Sequence, residues 1–536
     1  MQIEPIHIDN QNKLIRDYRD AKLSIMEHFD YGMLDFQKRV NEISSRTYNR
    51  EQLAHVLKQL NEMWGATSAT FSNIERLKEA RSVVVVGGQQ AGLLTGPLYS
   101  VNKVISIIQL ARQQEKELGI PVIPVFWIAG EDHDFEEINH VYMGRKSFKK
   151  YKLPIRNDEK LSISQMDIDH KVVQDWLKTI LNQISETKFT NELNNMIVDC
   201  LEHSNNYVDF FAQLIFRLFP EEGLVLIDSG NKQVRELESE YFAQMIMKQE
   251  EISAGVVESI EKLTNKGYTI DLDVSLESGN LFYHLNGERI LLNKDAEGNW
   301  IGKQNEIILS VEEILHVAKQ HPEQLSNNVI TRPLMQDLLF PTLAFIGGPG
   351  EISYWSVLKP AFHGLGIKMP PVVPRLSFTY LEPKAKKIMQ KYNIPIEVAV
   401  NHGVVAIRDK WFQAKMEPPV GETASQIKRS ITEIHRPLLQ IAEKTRSDVG
   451  ELAHKNLAYL IRDIEFLEKR IENALKEKYH KELEDFSLLE NLLHPDGLQE
   501  RVWNPLPFLN EYGLDFFREI CCKECSVEEE HFIIYL

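Results

Sequence analysis

The chain has 536 residues, 43% hydrophobic and 26% charged, enough to bury a sizeable core and to hold more than one structural unit. Its 61 basic and 78 acidic side chains leave a net charge of −17, a field that repels phosphate backbones and argues against nucleic acid as a partner. No apolar h-region follows the MQIEPIHIDNQNKL start, and no apolar run nears the roughly 20 residues of a membrane span, so a cytoplasmic protein without a membrane partner is expected.

Residues 1 to 80 carry apolar side chains at helical spacing, as at Leu53, Val56, Leu57 and Leu60, and predict helices. Ser82 to Val86 is a β-branched run that predicts the first strand. It enters a glycine-studded loop from Gly87 to Pro97, and a helical stretch from about Tyr99 to Leu118 follows. Ile120 to Ile128 predicts a second strand. Strand, crossover helix and strand in succession give a parallel unit of Rossmann type. Further runs at Gly223 to Ile227, Leu343 to Ile346 and Val372 to Val373 extend it to a doubly wound α/β sheet. Segments at about 145 to 205 and about 265 to 325 fit that sheet poorly and read as insertions. The second holds the alternation Ile270, Leu272, Val274 and a Phe282-Tyr283 run beside a hairpin-type Asn286-Gly287.

After Pro374 the composition turns to helix formers. Ile427, Ile431, Ile434, Leu438 and Ile441 recur at spacings of four and three, as do Ala453, Leu457, Leu460, Ile464, Leu467, Ile471 and Ala474, with Gly450 as the expected break. Two antiparallel helices follow, which either close each other's seam or join two copies into a homodimer. The expected domains are a Rossmann-like parallel-sheet core over residues 1–380, with two inserted segments, and a C-terminal α-helical coiled-coil domain with a terminal segment over 381–536. Four cysteines, three of them at Cys521, Cys522 and Cys525, are no disulfide framework; that cluster reads as free thiols or, less commonly, a metal site.

In an open parallel sheet, ligands bind beyond the carboxyl ends of the strands. The loop after Val86 offers Gly87, Gly88, Gly92 and Gly96 for close backbone approach and Gln89, Gln90 and Thr95 for hydrogen bonds. It suits an anion or a polar small molecule, although tight turns alone would also use these glycines, and it matches neither G-x-G-x-x-G nor a Walker loop. The loop after Ile128 gathers Glu131, Asp132, His133, Asp134, Glu136 and Glu137 ahead of His140. Carboxylates beside an imidazole favour its charged form, so His133 can act as acid or base with Asp132 or Asp134 fixing its tautomer. Metal ligation by His133 and His140, or a solvated acidic loop, are the alternatives.

Glycines return at Gly347, Gly348 and Gly350, where exposed amides fit an anion and Tyr354 and Trp355 supply flat surface. Arg332 is the side chain best suited to grip a carboxylate through its planar fork, with Arg375 second and a surface ion pair as the plain alternative. Lys384, Lys386 and Lys387 open another helix, where phosphate could bind while Trp503 and Asn504 stack on and hydrogen-bond a base; a solvated helix face is the competing reading.

The segments GGQQAGLLTGPLY at 87 to 99, PVFWIAGEDHDFEEINH at 124 to 140, TRPLMQD at 331 to 337, GGPGEISYW at 347 to 355 and the C-terminal LQERVWNP together resemble the bacillithiol biosynthesis cysteine-adding family over the full length. The resemblance implies a carbon–nitrogen ligase that joins cysteine to the amino group of glucosaminyl malate in the last step to bacillithiol. Amide formation needs an activated carboxyl, hence ATP (or ADP as its product) as the expected nucleotide; the need for a metal stays open. In that chemistry His133, with Asp132 or Asp134, takes the amine proton, the loop amides hold anionic groups and Arg332 holds malate. Two other classes remain compatible with the residues: a nucleotidyl or sugar-nucleotide transferase, and a coiled-coil scaffold with a ligand-sensing core.

Overall fold

The computed structural model describes residues 1–9, 11–144, 148–417 and 419–536. The core is a five-stranded, wholly parallel sheet of β1 (Val83–Gln89), β2 (Val122–Ile128), β3 (Val225–Asp228), β4 (Thr342–Gly347) and β5 (Val372–Pro374), in the order β5-β4-β1-β2-β3. Successive strands first build outward on one side of β1 and then on the other, so the order reverses between β1 and β4. That reversal is where an α/β sheet opens a crevice.

Val83, Val84, Val85 and Val86 are at most 2% exposed, the all-apolar pattern of a strand covered on both faces. Each such side chain contributes about 1.5–3 kcal/mol by burial. The helix Leu98–Leu118 packs on β1 and β2 and stops at Gly119, whose φ of +64° supplies the left-handed C-cap. β1 and β2 pair from Val83↔Val122 to Gln89↔Ile128. A Cβ on Gly88 would lie 2.7 Å from the Trp127 carbonyl oxygen, and one on Gly87 3.1 Å from that of Ile346. These two glycines therefore let neighbouring strands close up, a packing reason in place of the ligand approach expected for them.

The five expected strands are present within a few residues, and helices fill most of residues 1 to 80, preceded by a short strand, Gln2–Ile6, that the sequence reading missed. The second insertion is an antiparallel sheet built on Ser278–Leu285, Glu288–Lys294, Trp300–Gly302, Ile308–Leu309 and Leu325–Asn327. Asn286 and Gly287 both have positive φ, +53° and +89°, and make its first hairpin turn. Ile270, Leu272 and Val274 alternate in exposure as expected but lie in a loop before the first strand, with no ladder to join. At the first insertion, whose opening residues 145–147 lie outside the described residues, Lys149–Lys152 pairs antiparallel with the preceding His140–Met143, and helices His170–Leu181 and Thr190–Glu202 follow.

Two compact units emerge, and they do not follow the chain order. Gln499–Ile534, expected with the helical part, folds with Met1–Gly144 and Phe148–Thr379, while Tyr380–Leu498 and Tyr535–Leu536 form the second unit. Glu500 and Asn504 tie this segment to the core, and His531 is a further tie. Its Nδ1 lies 2.7 Å from Ser377 Oγ and its Nε2 2.8 Å from Thr379 Oγ1, both ring nitrogens satisfied in a buried place. Burial pushes this imidazole down to about 4, against the charge of Glu500. The unfolded chain, with a pKa near 6.5, binds the proton more readily, so the stabilisation is complete above about pH 6.5 and is lost as pH falls toward 4. Chemical denaturation should show a loss of about 2 kcal/mol between pH 7 and pH 5 from this group. A His531→Gln variant is expected to lack that component; an unchanged pH dependence would remove His531 as its source.

The second unit contains the expected helical hairpin, Val420–Thr445 and Ser447–Lys478. The break falls at Arg446 (φ −168°, ψ 143°), not at Gly450. Gly450 lies inside the second helix, where a Cβ would come within 3.2 Å of Glu443 Cα, so its role is close approach of the two helices. The inner face is lined by Ala424, Lys428, Ile431 and His435, with Lys428 bonded to Glu468 (3.1 Å) and His435 to Asn456 (3.0 Å). Ile434, Leu438, Ile441 and Leu467, expected in that seam, are 80, 67, 63 and 55% exposed. Strict four-three spacing hid two stripes on each helix, one facing the partner helix and one facing outward.

Candidate active site

The carboxyl ends of β1, β2, β4 and β5 carry a dense network of charged groups, and the loop after β2 meets the inserted antiparallel sheet. From β1 comes Gln90, whose amide donates to Asp132 Oδ2 and to Glu137 Oε2, 2.7 Å each. The glycine turn and the acidic histidine loop thus meet. Asp132 also accepts the backbone N–H of His133 at 2.8 Å, while Arg289, from the inserted sheet, approaches Asp132 Oδ1 at 3.4 Å and His133 Nδ1 at 3.3 Å. Burial works to raise the Asp132 carboxyl, but Arg289, Gln90 and the backbone donors outweigh it and hold it below the usual carboxylate range.

His133 departs from expectation. Burial and then Arg289 push its pKa down, and Asp132 and Asp134 only partly offset them, so the ring is neutral at neutral pH. Asp132 does not fix the tautomer, since its Oδ1 is 3.7 Å from Nδ1. Arg289 does. A guanidinium has no lone pair to give, so Nδ1 accepts and the ring proton sits on Nε2. Asp134 is exposed and acts on the ring through its charge.

Arg289 is itself fixed from three sides. Its Nη2 donates to Asn327 O (2.7 Å), its Nε to Ser326 Oγ (3.1 Å), and its guanidinium lies 3.7 Å from the Phe282 ring centroid. Behind it, Arg235 pairs with Glu131 and Glu238, both buried. Lys103, 1% exposed on the helix Leu98–Leu118, stands at the β1/β4 reversal and donates to Gly88 O (2.6 Å), to Gln89 Oε1 (3.1 Å) and to Glu351. Burial lowers its pKa and Glu351 opposes. Arg375 makes a two-pronged pair with Glu500, 2.7 Å at each prong, and Glu500 also accepts from Ser377 and Asn102.

Several expected site residues serve the fold instead. The Gly348 amide, expected to hold an anion, donates to Glu351 Oε2 at 2.7 Å. The first free amide of the helix after the glycine turn, on Leu98, is taken by Trp503 O at 2.7 Å. Thr95 is buried with φ +70° and its Oγ1 lacks a partner, and Gly96 has φ +73°. Trp355 is 1% exposed and stacks on Phe345 at 4.3 Å, so it is core. Trp503 is 2% exposed between Phe148 and Phe508, and Asn504 donates to Leu94 O and Gly96 O. Their rings and amides hold the glycine turn and do not fit a nucleotide base. Lys384 and Lys386 are exposed in the other unit, with the Lys386 ammonium over the Tyr535 ring. Arg332 does reach the site, its Nη2 donating to Tyr354 OH at 2.7 Å. Among the described residues no cluster of His, Cys, Asp and Glu could hold a metal, and no helix is long and apolar enough to cross a membrane. Cys521 and Cys525 are buried, which pushes both thiols up and away from reactivity.

A model of the bacillithiol biosynthesis BshC N-terminal Rossmann-like domain matches residues 1–376, and a model of the BshC C-terminal coiled-coil domain matches residues 378–536. The chain belongs to the BshC family. A relative from Oceanobacillus iheyensis, bearing the name "Putative cysteine ligase BshC", is 41% identical over 543 residues, with both chains covered in full. Relatives of the same name from Bacillus licheniformis and Bacillus cereus are 40% and 37% identical over 542 and 540 residues, again covering both chains in full. In this BshC chain, sequence reasoning missed Arg289, Lys103 and Glu500. A lysine inside the apolar run VNKVISII was a visible signal for the second. Arg289 follows a hairpin turn like many surface arginines, and only the folded insertion carries it to the sheet edge.

Proposed function

We propose that this BshC protein is a ligase forming an amide between the carboxyl group of cysteine and the amino group of glucosaminyl malate, as the last step to bacillithiol. The observation that supports this reading is the 2.7 Å bond from Gln90 to Asp132, which joins the loops after β1 and β2 into one polar network beside His133. ATP is the co-substrate in this reading; it supplies the leaving group that turns a carboxylate into an acyl donor. The exposed lysines at Lys384 and Lys386 remain the expected phosphate contacts.

Of the cations in this network, Lys103, Arg235, Arg289 and Arg375 meet carboxylates, whereas the side-chain hydrogen-bond partner of Arg332 is the neutral Tyr354 hydroxyl. Arg332 is thus the cation suited to a malate carboxylate, with Arg289 able to share the second one. A carboxylate on Arg289 draws its Nη1 off His133. Nδ1 then loses a donor while the carboxylate offsets the guanidinium charge, and the imidazole becomes a stronger base as the sugar amine arrives. Incubating the protein with cysteine, glucosaminyl malate and ATP and weighing the products tests this directly. Amide product formed in step with ATP loss supports it; ATP turnover without amide, or transfer of a nucleotidyl group to the sugar, refutes it.

The outward stripe of Ile434, Leu438, Ile441 and Leu467 supports a homodimer, since a second copy can cover it. Sedimentation of a Leu438→Glu, Ile441→Glu double variant is expected to show monomers where the parent protein shows dimers; dimers in both would remove the stripe from the interface.

A further inference from the structure

Four side chains of the inserted antiparallel sheet share one of its faces. Ser326 stands opposite Phe282 in the ladder and His284 opposite Arg289, while Phe282 and His284 are two residues apart on one strand, so the pleat turns all four the same way. Ser326 and Arg289 are buried. Arg289 Nε donates to Ser326 Oγ at 3.1 Å, and Ser326 Oγ lies 2.9 Å from His284 Nε2. A guanidinium can only donate, so among the described residues the acceptor for the serine's own proton is the His284 ring. Burial, then Arg235 and Arg289, push that imidazole down to about 3, so it is neutral and its Nε2 can accept.

The distances divide the Arg289 guanidinium into a held edge and a loose edge. Toward the strand Leu325–Asn327, Nη2 is 2.7 Å from Asn327 O and Nε is 3.1 Å from Ser326 Oγ. Toward the loop after β2, Nη1 is shared between His133 Nδ1 at 3.3 Å and Asp132 Oδ1 at 3.4 Å. Hydrogen bonds weaken at such lengths, so the acceptors behind the arginine set its direction. Asn327 contributes a backbone oxygen, which any residue supplies; Ser326 contributes a hydroxyl, which depends on the residue type. We propose that Ser326, steadied by His284, is a positioning residue that aims Arg289 at the Asp132–His133 pair and makes the inserted sheet a functional part of the site. This role rests on the ligase reading above, in which His133 is the base and Arg289 turns to a substrate carboxylate. A held rear edge lets the loose front edge change partners while the guanidinium keeps its place.

The test compares the full-length protein with its Ser326→Ala and His284→Leu variants. Nuclear magnetic resonance titration reads the His133 ring, and kcat/KM is measured for amide formation from cysteine, glucosaminyl malate and ATP. Neither Ser326 nor the neutral His284 carries a charge, and Asp132, Asp134 and Lys160, the other charges acting on His133, stay in place. A shift at His133 therefore reports where Arg289 points. Ser326→Ala is expected to raise the His133 pKa toward the ordinary histidine value and to lower kcat/KM about tenfold or more. His284→Leu should move both in the same direction by less. An unchanged His133 pKa in Ser326→Ala overturns the positioning role, and a fall in kcat/KM without that shift does so too, because it marks a structural loss. If Ser326→Ala does not fold, His284→Leu decides by the same shift. Wild-type protein that makes no amide overturns the ligase reading alone, since a raised His133 pKa in Ser326→Ala would still uphold the aim of Arg289.

Discussion

An Arg289→Met variant is expected to lose about 100-fold or more in amide formation and to show a His133 imidazole with a higher pKa than the parent protein. The first effect follows from removing a fixed cationic donor aimed into the network, a loss typically of about 100- to 1,000-fold where charge is handled. The second follows from electrostatics. Burial is the largest cause of the depressed His133 pKa and Arg289 the next, so methionine, which preserves apolar contact with Phe282, removes the second cause and leaves the first. The sign is therefore upward, toward the ordinary histidine value. Nuclear magnetic resonance titration of the ring protons reads it independently of activity. A pKa unchanged in the variant would mean that Arg289 does not reach the imidazole in solution, and the proposed release of Nδ1 by substrate would fall with it.

The largest stability effect is expected at Glu500. This carboxylate is 2% exposed and accepts from Arg375 twice, from Ser377 and from Asn102. Desolvation works to raise its pKa, yet Arg375, Ser377 and the His531 side chain hold it below the usual glutamate range. Glu500→Ala leaves the Arg375 guanidinium buried without its counter-charge, a change that costs about 3–5 kcal/mol. Denaturant titration should therefore show a large drop in the midpoint, and the Glu500→Ala, Arg375→Met double variant should recover part of it, because no bare charge remains. If Glu500→Ala costs less than about 1 kcal/mol, water or another acceptor replaces the carboxylate, and the terminal segment is tied to the core less firmly than its contacts indicate.

What was legible in the sequence was local. The β-branched run at Val83 to Val86 and its counterparts announced five buried parallel strands because a strand covered on both faces admits little else. Asn286-Gly287 announced a hairpin because two consecutive positive φ angles restrict the choice of residue. The meeting of the glutamine-bearing turn with the Asp132–His133 loop was also legible, since both leave the carboxyl ends of adjacent strands. What escaped was every role set by a distant partner. Carboxylates next to His133 in sequence suggested a raised pKa, but Arg289, 156 residues away, decides the sign. Trp355 and Trp503 read as stacking platforms until their burial showed them to be packing. Gly348 read as an anion donor until Glu351 was found on its amide. The outward apolar stripe of the helical hairpin was invisible because a four-three pattern does not reveal how many partners it serves.

In this reading the charged network joining the turn after β1 to the histidine loop after β2 holds the sugar substrate for reaction. A crystal structure of the protein with glucosaminyl malate bound tests it most directly. The expected density shows malate carboxylates on Arg332 and Arg289, with the sugar amine within hydrogen-bond reach of His133. Glucosaminyl malate bound elsewhere, with Arg289 still on His133 and Asp132, would contradict the account.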